Sequence, residues 1–138
     1  MNKLIVSSIL LLVLDFMWIG GYMGGEYKKM IRKIQGSDMQ LNVIYAILSY
    51  TLMIIGLNVF VLPNINKDNL FNDSLKYGFS FGIILYGVYD FTIGAVLKDW
   101  NFKLAIMDVL WGGTVYFLAT YLTFTILEYF EGSNKRIK

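Results

Sequence analysis

The sequence contains no cysteine and no histidine, and both absences narrow the chemistry open to the chain. Without cysteine there is no disulfide, no thiolate nucleophile and no zinc or iron–sulfur site ligated by cysteine. Without histidine the chain lacks the usual near-neutral acid–base group and the commonest metal ligand, which leaves Asp, Glu, Tyr and Lys for any reaction. We therefore expect no metal site and no cofactor, and the composition points away from an enzyme without excluding one.

Charge is also scarce. Charged residues make up 16% of the chain, whereas 57% is hydrophobic and 17% is aromatic. This composition is too apolar for a typical soluble domain and indicates an integral membrane protein. The net charge of +2 is spread between the apolar runs and forms no nucleic-acid-binding patch. The partner that composition predicts is the lipid bilayer, with no role for nucleic acid.

Four apolar runs, at about 4–23, 43–62, 77–97 and 104–127, organise residues 1–138 as a single transmembrane domain. Each run is close to the ~20 residues that cross ~30 Å of hydrocarbon as a helix. The first run is too long for the core of a signal peptide and lacks its cleavage site, so it is interpreted as a span. The sequence predicts an all-α fold, an integral membrane bundle of four transmembrane helices, followed by a charged tail at 129–138.

The basic segment 26–40, between the first two runs, also carries the apolar residues Met30, Ile31 and Ile34. It fits either a short amphipathic helix on the bilayer surface or a solvated basic loop. Lys and Arg are balanced between the two sides of the membrane, so only the density of this cluster favours termini outside. The same balance fits dual topology in an antiparallel dimer. We expect a cell-membrane protein that forms a homo-oligomer, because the chain is short.

Three aspartates inside the apolar runs are the strongest functional signal. Asp15 and Asp90 lie near the middle of the first and third runs, and Asp108 lies near the start of the fourth. A charged side chain at the bilayer centre costs about 2.5–3.5 kcal/mol, so it normally faces a cavity or a partner. The runs contain no Lys or Arg, although Lys98 and Lys103 could neutralise Asp108. At least one aspartate should hold a proton, accept hydrogen bonds from Tyr or Trp, or bind a cation.

Helical spacing puts aromatic side chains on the same faces as these aspartates. Allowing for alternating helix direction, the aspartates all lie toward the side of the 26–40 and 98–103 segments. We interpret the pattern as an aromatic vestibule with Asp108 at its rim and Asp15, opposite Asp90, at its floor. The predicted binding residues are Asp15, Trp18, Tyr45, Ser49, Tyr86, Tyr89, Asp90, Asp108 and Trp111.

Simpler interpretations exist for several of these residues. Asp108 could be a helix N-terminal residue favoured by the macrodipole. The spacing Gly-x-x-x-Gly, which is typical of close helix packing, occurs at Gly20 and Gly24, Gly21 and Gly25, and Gly78 and Gly82. The motif Asp-x-x-Trp-x-Gly occurs in both the first and the fourth runs, which are antiparallel, and so suggests an inverted pair.

The segments LDFMW at 14–18, YGVYDFT at 86–92, Trp100 and MDVLWG at 107–112 resemble, in order and spacing, a family of uncharacterised membrane proteins, domain of unknown function number 2177. The resemblance covers nearly the whole chain and implies a four-helix membrane protein whose matched Asp and Trp positions belong to the family pattern. The pattern has Asn after the threonine of the third run, where this chain has Ile93. The family supplies no activity to carry over.

The pattern of carboxylates and aromatics favours a transporter-like or channel-like protein for protons, cations or a cationic solute, since aromatic faces attract cations. An alternative is a membrane enzyme, or a protein that binds a lipid or sterol-like hydrophobic ligand, with paired aspartates as acid and base. A third class, a structural or assembly subunit, would need the aspartates only for hydrogen bonding.

Overall fold

The computed structural model describes residues 2–136, with side chains described as far as residue 133. Four long helices account for most of these residues, and no strand occurs in this range. They are α1 (Lys3–Gln35), α2 (Val43–Asn64), α3 (Lys67–Val96) and α4 (Phe102–Arg136). Each is long and apolar enough to cross a membrane, which confirms the predicted all-α bundle. Residues 1, 137 and 138 of the predicted domain lie outside the described range.

An asparagine begins every helix. Its side-chain oxygen accepts a hydrogen bond from a backbone N–H of the first turn, which satisfies a donor that has no partner inside the helix. These N-cap residues are Asn2, Asn42, Asn66 and Asn101. α3 begins at Lys67, well before the third apolar run at 77–97, so much of the polar stretch that precedes this run is helical.

Helix α1 continues past the membrane span into the basic segment. A π-helical turn, Ile19–Met23, joins the first span to the helical segment Gly24–Gln35, and Gly36 ends the helix with a left-handed φ of 74°. Met23 and Met30 of this helix are buried against Leu104 of α4. Of the two structures left open for 26–40, the amphipathic helix is therefore the one that forms over most of the segment.

Helices α3 and α4 approach each other closely because both carry glycine at the contact. A Cβ added at Gly78 would lie 2.9 Å from the Tyr116 carbonyl oxygen, and one added at Gly82 would collide with the backbone of Gly112. The packing interpretation therefore holds for Gly78 and Gly82. It fails for Gly20, Gly21 and Gly25, where an added Cβ would meet no atom within 4 Å.

Helix α2 packs unevenly along its length. Its C-terminal part joins the main core through Leu57, Val61 and Leu62, which are almost completely buried with Leu11 and Tyr116. Its N-terminal half is largely exposed on the outer side. This half stands away from the other three helices and leaves a cavity between them.

Candidate functional site

Asp15 accepts a hydrogen bond from each of the other three helices. The hydroxyls of Tyr50 in α2 and Tyr86 in α3 donate at 2.8 and 2.9 Å, and the indole N–H of Trp111 in α4 donates at 3.1 Å. The Asp15 side chain is 4% exposed. Three donors fill most of the acceptor sites of an ionised carboxylate, so Asp15 is compensated without a basic residue.

Asp108 is compensated in the same way by two donors from α1. Trp18 donates through its indole N–H at 3.1 Å, and the Tyr27 hydroxyl donates at 2.9 Å. In the described part of the chain neither Lys98 nor Lys103 forms an ion pair, and the ion pairs present there all lie on the surface. The predicted neutralisation of Asp108 by these lysines is therefore replaced by hydrogen bonds from aromatic side chains.

The two Asp-x-x-Trp motifs hydrogen-bond to each other across the α1–α4 contact. Trp18 of α1 donates to Asp108 of α4, and Trp111 of α4 donates to Asp15 of α1. The two indoles stack between the carboxylates, with ring centroids 4.9 Å apart and planes inclined by 12°. Because the helices are antiparallel, one motif on each suffices to build this reciprocal arrangement.

A cavity of about 520 Å³ lies between α2 and the other helices, and we call it the main cavity. Its apolar walls include Leu41, Leu52, Met53 and Leu85. Six of the nine predicted binding residues line it, namely Asp15, Trp18, Ser49, Tyr86, Tyr89 and Asp108. Trp111 is not among the lining residues and reaches the site through its hydrogen bond to Asp15.

Tyr45, another predicted binding residue, does not reach the cavity. Its side chain is 72% exposed on the outer side of α2. The residues of α2 that line the cavity are Ala46, Ser49, Tyr50, Leu52 and Met53, so the lining face is turned by about one residue from the predicted one. Tyr50 takes the place that the sequence interpretation gave to Tyr45.

Asp90 lies in a different environment from the one predicted. It is not opposite Asp15 in the main cavity. It neighbours Asp108 and lines a separate cavity of about 320 Å³, called here the second cavity. The second cavity is bounded by Asp90, Phe91, Gly94, Trp100, Phe102 and Ala105. Asp90 is 0% exposed, and within residues 2–136 neither of its carboxyl oxygens accepts a hydrogen bond of good geometry, although the indole N–H of Trp100 lies close to it.

Two residues of the site, Tyr27 and Tyr50, were missed from the sequence. A uniform α-helix would put Tyr22 on the face of Asp15 and Trp18, but the π turn at Ile19–Met23 delays the helical phase by about one residue. Tyr22 is consequently 46% exposed, and Tyr27 points at Asp108. The position of Tyr50 near the middle of the second apolar run, at a depth similar to that of Asp15 in the first, was the sequence signal for it.

The main cavity combines carboxylates with aromatic rings. No group of three or more acidic side chains that could hold a metal ion is present between residues 2 and 136. The cavity instead combines the two hydrogen-bonded carboxylates, Asp15 and Asp108, with the faces of several aromatic rings. Such rings attract positive charge through their quadrupoles.

The four apolar helices with buried carboxylates at their centre define an integral membrane protein of the four-helix class. The chain belongs to the family described as "Predicted membrane protein (DUF2177)", which matches residues 1–125 and so includes all three aspartates. This confirms the family resemblance seen in the sequence. No protein with a curated description matches the chain, and no solved structure matches it.

Proposed function

We propose that the protein binds an organic cation in the main cavity and carries it across the membrane. The observation that carries this proposal is the pairing of two buried carboxylates, Asp15 and Asp108, with aromatic walls. The lining residues of the main cavity, all within the described chain, include no lysine or arginine. A positively charged ligand would supply the countercharge that the cavity lacks.

The hydrogen bonds at the two carboxylates favour a cation that needs no hydrogen bonds of its own. Asp15 already has three donors and Asp108 has two. An incoming cation would therefore gain charge attraction and contact with ring faces. A quaternary ammonium group, which has no N–H, has this chemistry.

The size and walls of the main cavity support a ligand with an apolar body. Its volume of about 520 Å³ falls in the range of ~300–1,000 Å³ that is usual for small-molecule sites. A proton or a bare metal ion would need far less space. The aliphatic wall would bury the hydrocarbon part of an amphiphilic cation, which gives the ligand class: a small apolar organic cation.

Binding is tested on purified protein in dodecyl maltoside micelles with two probes of matched shape. Phenyltrimethylammonium carries the charge, and tert-butylbenzene has the same outline without it. We expect the cation to bind about tenfold or more tightly than the neutral probe, because a desolvated cation–aromatic contact contributes about 2 kcal/mol. Asp15→Asn and Asp108→Asn should each lower the affinity for the cation, provided that circular dichroism shows the variant folded.

The matched control is Asp68→Asn, which removes an equal charge from an exposed position in the first turn of α3, and it should leave affinity unchanged. Equal binding of the two probes, or equal cation binding by the wild type and both cavity variants, would contradict the proposal. Uptake of phenyltrimethylammonium into proteoliposomes tests the transport step. Uptake no faster than into protein-free liposomes would restrict the function to binding.

A structural role is the second candidate, and the three-helix convergence on Asp15 favours it. One carboxylate that bonds to α2, α3 and α4 can fix the relative positions of the helices without any ligand. This role accounts for the hydrogen bonds to Asp15 but does not explain the main cavity. It predicts that Asp15→Asn reduces stability and that neither probe binds the wild type.

We infer a location in the cell membrane with both termini outside and segment 24–35 inside. The support is the density of basic residues in that segment, Lys28, Lys29, Arg32 and Lys33. We also propose that the chain works as a homo-oligomer, since a single 138-residue chain offers little protein around a transport path. Native mass spectrometry of the micelle sample counts the chains in the complex.

A further inference from the structure

The second cavity is lined by two buried polar groups that make no well-formed hydrogen bond. Both carboxyl oxygens of Asp90 and the indole N–H of Trp100 are buried, and in the described structure none of them is in hydrogen-bond geometry, although the Trp100 N–H lies close to Asp90. Both residues line the same space of about 320 Å³. Buried polar groups are nearly always hydrogen-bonded, so a fully buried carboxylate and an N–H that lack a well-formed bond beside one cavity are suited to a ligand that bonds to both.

We propose that the second cavity is a separate binding site, which takes a small primary amine that also carries an oxygen acceptor. The ammonium group would donate to the carboxylate of Asp90, and the oxygen of the ligand would accept from the indole N–H of Trp100. Among the residues lining this cavity no basic side chain could take the place of the amine. The neighbouring carboxyl group of Asp108 adds to the attraction for a cation.

This ligand class differs from that of the main cavity because the carboxylates differ in their hydrogen bonding. Asp15 and Asp108 accept well-formed hydrogen bonds from tyrosine and tryptophan, whereas Asp90, with only the Trp100 N–H close to it, accepts none of good geometry in residues 2–136. A carboxylate without donors gains most from a ligand that brings N–H groups, since hydrogen bonds to ionised groups are the stronger ones. A quaternary ammonium would leave Asp90 without them.

The remaining walls fit a flat apolar substituent on the amine. The rings of Phe91 and Phe102 stack with centroids 6.5 Å apart and planes inclined by 26°. Gly94 makes room for Trp100, because a Cβ added there would lie 3.2 Å from Trp100 Cδ1. The volume of about 320 Å³ is at the lower end of the range for small-molecule sites. An aryl amino alcohol has the size and the groups that this site requires.

The test uses 2-amino-1-phenylethanol and its N-trimethyl derivative, which keeps the charge, ring and hydroxyl but has no N–H. Binding to the full chain in dodecyl maltoside is measured by calorimetry. We expect the primary amine to bind at least about tenfold more tightly than the trimethyl derivative. Asp90→Asn and Trp100→Phe should each weaken binding of the primary amine, about tenfold or more for the loss of the charged partner.

Two further variants separate the site from its surroundings. Gly94→Ala keeps both polar groups but adds a methyl group against Trp100, so it should also weaken binding. The matched control Asp99→Asn removes an exposed charge from the loop that also carries Trp100, and it should leave the affinity for the amine unchanged. Asparagine tolerates the φ of 66° at this position, so the loop should keep its conformation. If Asp90→Asn does not fold, Trp100→Phe and Gly94→Ala still test whether the amine binds in the second cavity.

The same chemistry could come from a free amine or from an ethanolamine lipid headgroup. Phosphatidylethanolamine added to the micelles should compete with the probe if the headgroup occupies the site, and phosphatidylcholine should not. Absence of competition assigns the site to the free amine.

The proposal is overturned if wild-type protein binds neither probe, or binds both equally. It is also overturned if an infrared band of a protonated carboxyl group, lost in Asp90→Asn, persists at saturating amine, because Asp90 would then hold only a proton. The outcome is independent of the main cavity, since Asp15→Asn should weaken phenyltrimethylammonium binding without weakening amine binding.

Discussion

At the scale of single residues, aromatic side chains stabilise the buried carboxylates of this protein by hydrogen bonding. The donors to Asp15 and Asp108 are tyrosine hydroxyls and tryptophan N–H groups. Each donor belongs to an uncharged aromatic side chain, which is compatible with the apolar interior of a membrane. A lysine or arginine would form a stronger pair with a carboxylate, but it would also bring a second charge into the bilayer. Aromatic donors compensate the aspartate while leaving its negative charge available to a ligand.

The hydrogen bond from Tyr86 to Asp15 gives a prediction on stability. Tyr86→Phe keeps the ring that packs on Gly112 and removes only the hydroxyl. We expect it to lower the free energy of unfolding by about 0.6 kcal/mol and at most about 1.7 kcal/mol, the average and the maximum measured for hydrogen bonds between membrane helices. The measurement is reversible unfolding by sodium dodecyl sulfate in mixed micelles.

The control for this prediction is Tyr89→Phe, which removes a hydroxyl from the same helix and the same cavity. In the described chain the Tyr89 hydroxyl makes no hydrogen bond, and its side chain is 54% exposed. This control should leave stability within about 0.5 kcal/mol of the wild type. If the two variants were equally stable, the Tyr86 hydrogen bond would have no net effect.

At the scale of the helices, glycine placement fixes the contact between α3 and α4. Gly82→Ala adds a methyl group that must push the two backbones apart, because the backbone of Gly112 occupies its place. We expect a loss of about 1–3 kcal/mol, as for other overpacked contacts. Thermal unfolding followed by circular dichroism in micelles measures it.

Gly25→Ala is the matched control, since a Cβ at this exposed helical glycine meets nothing within 4 Å. It should be neutral or stabilising by up to about 1 kcal/mol, because alanine favours the helix more than glycine does. Equal changes in stability for the two variants would show that the close contact with Gly112 makes no specific contribution at Gly82.

The helices and the three aspartates could be predicted from the sequence because their signals are local. Twenty apolar residues form a span whatever their neighbours are, and a carboxylate inside one stands out at once. The rotation of each helix could not be predicted, because it depends on packing and on interruptions of the α-helical period. One π turn moved Tyr27 into the site in place of Tyr22, and the packing of α2 turned Tyr50 inward in place of Tyr45.

At the scale of the whole molecule, the absence of cysteine makes the topology directly measurable. Ser37 lies in the link between α1 and α2, Ser133 lies in α4 near the termini, and both are exposed. In intact cells Ser133→Cys should react with a membrane-impermeant maleimide, whereas Ser37→Cys should react only after permeabilisation. This follows from the inferred placement of segment 24–35 inside.

The reverse pattern would place the termini inside, and the labelling is read against the cysteine-free wild type. Partial labelling of both variants in intact cells would instead indicate dual topology, the arrangement that the balanced Lys and Arg counts also fit. Either result would contradict the inferred orientation.

The convergence of three helices on Asp15 has a consequence for the biogenesis of the protein. Membrane helices emerge from the ribosome in order, so α1 reaches the bilayer while the donors Tyr50, Tyr86 and Trp111 are still unmade. Until α4 arrives, the carboxylate lacks at least one donor and carries part of an insertion cost of about 2.5–3.5 kcal/mol. A chain interrupted before α4 therefore keeps an incompletely compensated carboxyl group within the membrane, and α4 is the helix that completes the hydrogen bonding of Asp15.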